Sequence, residues 1–111
     1  MPVNTPQARL VFTSLSGPDE AARLGQTLVE EKLAACATLI PGTQSIFRWE
    51  GKIETVNETI LLLKTGPEQL AALEARLHEL HGYQTPEFLV VPVEAGSKGY
   101  LEWLHSCLRL P

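Results

Sequence analysis

Cys36, His78 and His81 are the residues of this chain whose types are best suited to holding a metal ion. A thiolate is a soft ligand that suits Cu(I), and imidazole suits copper, zinc and nickel. Cys36 stands where a predicted helix gives way to a strand, a place where a lone cysteine serves equally as a small apolar side chain. His78 and His81 are three apart in a predicted helix, which puts both rings on one face. They read as paired donors or as two solvated histidines. His105 and Cys107 are two apart, on nearly opposite sides of a helix, and should not chelate one ion together.

Lys64 raises a different chemistry, because it follows Leu61-Leu62-Leu63 inside a predicted strand. A cation buried there is costly without a counter-charge. Glu58, six residues earlier and on the same side of the strand, and Glu87 are the candidates. The pattern reads as a structural ion pair across a subunit boundary, or as a polar cleft walled by Trp49 and Tyr83 that receives a small anionic ligand. No Gly-rich phosphate loop, His-Glu-x-x-His, Cys-x-x-Cys or Gly-x-Ser-x-Gly is present, and nothing supports an enzyme.

The elements that must position these residues follow from periodicity. Ala8 to Leu15 predicts a strand, and Ser16-Gly17-Pro18 predicts a helix start with Ser16 as the cap. Ala21, Leu24, Gly25, Leu28 and Leu33 form the apolar stripe of a helix ending near Lys32. Ala35 to Thr65 then reads as one hairpin turning at Glu50-Gly51, with a bulge or kink at Pro41-Gly42. Each arm of roughly 14 residues would run about 45 Å, against a radius of gyration of about 13 Å for a compact domain of this size. The tip must therefore project, bend or pair with another copy.

Thr65-Gly66-Pro67-Glu68 has the form of a capping box, before a helix with Leu70, Leu73, Leu77 and Leu80 as its stripe and Gly82 as its stop. Glu87 to Val93 predicts a continuous apolar strand, and Ser97 predicts the cap of a short last helix. The fold class is α+β. It is a ferredoxin-like βαββαβ order with a C-terminal helix, an antiparallel sheet and helices on one face.

At 111 residues, with 44% hydrophobic and 20% charged residues, residues 8–111 make one domain and residues 1–7 a flexible tail. The net charge of −4, with scattered basic residues, argues against nucleic acid as a partner. No apolar run is long enough to predict a membrane span. Two cysteines without a secretory signal predict reduced thiols in a cytoplasm.

Six segments carry a specific resemblance. They are Glu31-Lys32-Leu33-Ala34-Ala35-Cys36, Leu39-Ile40-Pro41-Gly42, Trp49-Glu50-Gly51-Lys52-Ile53, Leu62-Leu63-Lys64-Thr65, Tyr83-Gln84-Thr85-Pro86-Glu87 and Tyr100-Leu101-Glu102-Trp103-Leu104. In this order and spacing, from Leu10 to Leu108, the chain resembles the CutA divalent-cation tolerance family. The resemblance implies a ferredoxin-like protomer in a homotrimer whose hairpins pair between subunits. It also implies a part in the response to divalent metals, with copper as the foremost ligand and other divalent cations possible. The family is similar in architecture to PII-type trimers, which bind small ligands between subunits. A sensor of that kind and a hyperstable trimeric scaffold are the alternatives. Some relatives carry a further cysteine just after the first strand, where this chain has Thr13-Ser14-Leu15-Ser16. His81 is kept, and Gly82 stands where relatives often have proline.

Overall fold

The computed structural model describes residues 6–110, so most of the expected N-terminal tail lies outside the described residues. The element order is β1 (Arg9–Leu15), α1 (Pro18–Glu30), β2 (Cys36–Trp49), β3 (Lys52–Thr65), a 3-10 turn (Pro67–Gln69), α2 (Leu70–Leu80), β4 (Leu89–Pro92) and α3 (Lys98–Ser106). The strands form one antiparallel sheet in the order β2-β3-β1-β4, the ferredoxin-like arrangement.

Alternation along the central strands divides the sheet into two faces. Val11 and Leu15 of β1 and Leu61 and Leu63 of β3 join Leu24 and Leu28 of α1 and Leu73 and Leu77 of α2 in the main core. The intervening residues, Leu10, Phe12, Ile60 and Leu62, occupy the opposite face and are only half-buried. Register places Ile40, Leu89 and Val91 on that same face, where they are 41%, 59% and 43% exposed. An apolar sheet face is thus left largely bare. At one end, α3 packs Leu101, Leu104 and Leu108 around Ala8 and Ala35 in a second, smaller core.

The hairpin projects as its length requires. Both arms have 14 residues, and the molecule measures 51 × 27 × 23 Å. Its turn carries positive φ at Glu50 (50°) and Gly51 (79°), which matches the right-handed twist of the strands it joins. The bulge falls where Pro41 has no N–H to give and Gly42 takes φ 76°. Register shifts there between Ile40 and Thr43. The Thr43 hydroxyl donates to the Glu58 carbonyl at 2.6 Å across the gap.

Four local expectations are corrected. Gly17, not Ser16, is the N-cap of α1, and the Ser16 hydroxyl donates instead to Glu20 Oε1 at 2.7 Å. The helix ends at Glu30, because Lys32 turns into the left-handed region at φ 61°. No capping box forms at Thr65; its hydroxyl donates to the Leu33 carbonyl at 2.7 Å, and the chain takes a 3-10 turn before α2. The strand expected over Glu87 to Val93 shortens to four residues, all exposed, because β4 is an edge strand beside β1.

Candidate functional site

Beyond the bulge, β2 and β3 stay in register, so Ser45 opposes Val56, Phe47 opposes Glu54 and Trp49 opposes Lys52. Opposed residues share a face, and this set continues the bare face out along the hairpin. The segment after α2 folds back over its base. Between the two lies a cleft of about 770 Å³ lined by Phe47, Trp49, Glu54, Glu58, Tyr83 and Glu87, among others. The expected cleft residues Trp49, Glu58, Tyr83 and Glu87 therefore do come together.

Lys64 does not join them. Six residues of strand separate it from Glu58, about 20 Å, so the two do not meet within one protomer. Its ammonium donates to the Tyr100 hydroxyl at 3.2 Å and lies 5.5 Å from the centroid of that ring. The Tyr100 hydroxyl holds the Lys64 pKa above its ordinary value, against a smaller opposing effect of burial. Cys36 is the cross-strand partner of Lys64, and its half-buried thiol lies 3.7 Å from the Thr38 hydroxyl.

A relay of hydrogen bonds ties the segment after α2 to β3 and β1. The Tyr83 hydroxyl donates to Glu58 Oε2 at 2.8 Å. Burial first, and the Glu58 hydrogen bond second, push the Tyr83 phenol up to about 12, so it remains a donor at neutral pH. The Tyr83 backbone N–H donates to His81 Nδ1 at 3.0 Å, which requires a lone pair on that nitrogen. His81 Nε2 lies 2.9 Å from the Ser14 carbonyl, which can only accept, so Nε2 carries the proton. His81 is thus a neutral imidazole with both nitrogens engaged, tying β1 to the segment over the cleft. A metal ion at His81 would have to displace one of these bonds. His78 is exposed on α2, with its ring 6.4 Å from that of Phe88. Among the described residues, no three His, Cys, Asp or Glu side chains are placed to hold a metal ion together.

Burial lowers the His81 pKa below 6.5, opposed by the Ser14 carbonyl and by Glu20 and Glu58, and assisted by His78. The folded chain therefore takes up this proton less readily than the unfolded chain. Stability from this group is complete above pH 6.5 and declines as pH falls through 6.5 toward the folded value. Urea midpoints measured between pH 8 and pH 5 are expected to fall more steeply for the wild type than for His81→Gln. Parallel slopes would remove His81 as the cause.

Sequence reasoning did not include Phe47, Glu54 or the Ser14 carbonyl in the site. Phe47 was within reach, since it lies two residues from Trp49 and shares its face. Glu54 required the register beyond the bulge, and the Ser14 carbonyl required the packing of β1 against the end of α2.

The chain matches the CutA1 divalent ion tolerance protein family over residues 9–107. It is 49% identical over 101 residues to the divalent-cation tolerance protein CutA of Escherichia coli strain K12, spanning 89% of this chain and 90% of that protein. Its fold is similar to the crystal structure of CutA1 from Oryza sativa, with a TM-score of 0.92 at 34% identity, covering 96% of this chain and 98% of that one. It is similar also to the CutA of Archaeoglobus fulgidus, described as periplasmic, with a TM-score of 0.89 at 33% identity, covering 92% and 99%.

Proposed function

We infer that this chain, which belongs to the CutA1 divalent ion tolerance family, acts as a homotrimer in the response to divalent metal ions, binding copper ahead of other divalent cations and catalysing no reaction. The observation that carries the reading is the bare apolar sheet face, continued along a hairpin that overhangs its own domain. A face of this kind calls for a partner, and a second copy offers the same face and two open sheet edges, β2 and β4. Closing copies into a ring removes such edges.

Assembly also bears on metal binding. Cys36, His78 and His81 do not converge within one protomer, but a trimer presents each of them three times. Cys36 lies on the sheet face that assembly would cover, where a thiolate favours Cu(I). Exposed His78 favours Cu(II), which stands above zinc and nickel for nitrogen donors. The free thiols of Cys36 and Cys107 support a cytoplasmic setting. Among the described residues, no helix is long and apolar enough to cross a membrane.

Native mass spectrometry of protein purified without chelators or affinity tags, followed by copper titration, tests the reading. A trimer that binds copper is expected, with affinity reduced by His78→Ala, His81→Ala or Cys36→Ser. Affinity should also fall below about pH 6 as imidazole takes up protons. A monomer, or unchanged copper stoichiometry and affinity in all three variants, would overturn it. The alternative of a small anionic ligand between subunits had Lys64 as its support, and Lys64 lies outside the cleft of its own protomer, with Tyr100 as its partner.

A further inference from the structure

We propose that the cleft between the hairpin and the segment after α2 is completed by a second copy of this chain, whose Lys64 enters it beside Glu58. The inference rests on the trimeric reading and adds to it the pair of charges that sets how the copies meet. The bare face carries opposite charge at its two ends. At one end Glu54, Glu58 and Glu87 line the cleft, and no lysine, arginine or histidine of the same protomer does. At the other end, about 20 Å away on the strand face of Glu58, stands Lys64, whose hydrogen-bond partner is the neutral hydroxyl of Tyr100. Among the described residues the ion pairs are those of Arg76 with Glu31 and Glu79, so neither Glu58 nor Lys64 meets an opposite charge within its own protomer.

In a single protomer both ends keep contact with water, since Glu54 and Glu87 are exposed and Lys64 is half-buried. Assembly removes that water. The cleft continues the face that a neighbouring copy would cover, and charges covered without a counter-charge oppose association. Acid at one end and base at the other resolve this when copies meet head to tail, because such a contact joins different patches and repeats around a ring. Glu58 is the most withdrawn of the three carboxylates, 8% exposed and fixed at Oε2 by the Tyr83 hydroxyl. Phe47 and Trp49 give the entering lysine aromatic walls, which suit both its alkyl stem and its ammonium. Lys52 lies opposite Trp49 at the hairpin tip, beside the cleft of its own copy and not at the far end of the face.

A double-mutant cycle on the full chain tests the pairing, read as the urea concentration at which the trimer dissociates at one fixed protein concentration. Lys64→Glu and Glu58→Lys are each expected to lower that midpoint by about 1 M or more, because either one sets like charges together at every contact of the ring. The two combined should recover most of the loss. Within one protomer these residues stand about 20 Å apart, beyond the range over which substitutions ordinarily couple, so the recovery reads a contact between copies. Lys52→Glu combined with Glu58→Lys should recover nothing. Glu58→Gln keeps an acceptor for the Tyr83 hydroxyl, so a cycle of Glu58→Gln with Lys64→Gln reads the same coupling if Glu58→Lys fails to fold. Additive losses in a protein that is trimeric as wild type, or equal recovery with Lys52→Glu, would overturn the pairing and leave the trimer standing. A monomeric wild type would overturn both.

Discussion

Leu62→Asp is expected to give a folded chain that no longer assembles, sedimenting near the 12.2 kDa of one protomer while the wild type sediments at about three times that mass. Leu62 lies opposite Phe12 in the β1–β3 ladder and opposite Thr38 in the β2–β3 ladder. Its side chain belongs to the bare face, not to the core beneath the helices. In an isolated protomer it is half-buried, so a carboxylate there keeps contact with water. In a trimer the same carboxylate would enter an apolar interface three times over. Each large apolar side chain on the face contributes roughly 1.5–3 kcal/mol when fully covered, and each buried unpaired charge costs several more. Assembly should therefore be lost before the fold is. Ala22→Asp, on the exposed side of α1, should leave the sedimentation unchanged. A Leu62→Asp protein that sediments like the wild type would show that this face is not the interface.

The architecture was legible because it rests on local signals. Alternation, the Glu50-Gly51 turn, the Pro41-Gly42 break and the apolar stripes of α1 and α2 each depend on neighbours a few residues away. They place every strand and helix of the sheet in order. Capping was less legible, since Ser16 and Thr65 had other partners available. Glu20 takes the Ser16 hydroxyl and the Leu33 carbonyl takes that of Thr65. That second bond spans 32 residues, beyond any local pattern.

The site divided along the same line. Tyr83 and Glu58 were identified as types suited to a cleft, and they meet at 2.8 Å. Lys64 was assigned to the same cleft because it shares a strand face with Glu58. Period alone gives the face and not the distance, and α3 brings Tyr100 to Lys64 from 36 residues away. His81 was identified as a donor type, and its two hydrogen bonds became visible only with the chain folded.

Leu61→Ala, one residue from Leu62, should have the opposite kind of effect. Leu61 is fully buried on the helix side of β3. Its Cδ1 lies only 3.2 Å from where a β-carbon on Gly25 of α1 would stand. That glycine lets α1 sit close to the sheet, since the same β-carbon would meet that of Ala37 at 2.9 Å. The close approach leaves Leu61 packed against backbone, which has no side chain to swing into the space if Leu61 is shortened. Leu→Ala in a core costs about 2–5 kcal/mol, with the larger values where the surroundings cannot collapse, and this site belongs among them. Assembly couples stability to concentration, so urea unfolding should be compared at one fixed protein concentration. Leu61→Ala should then lose at least twice the stability that Leu62→Ala loses, while its folded fraction still sediments as the wild type does. A loss below about 1 kcal/mol, the scale of ordinary surface changes, would mean that α1 moves in to fill the gap and that Gly25 does not hold it at the limit of approach.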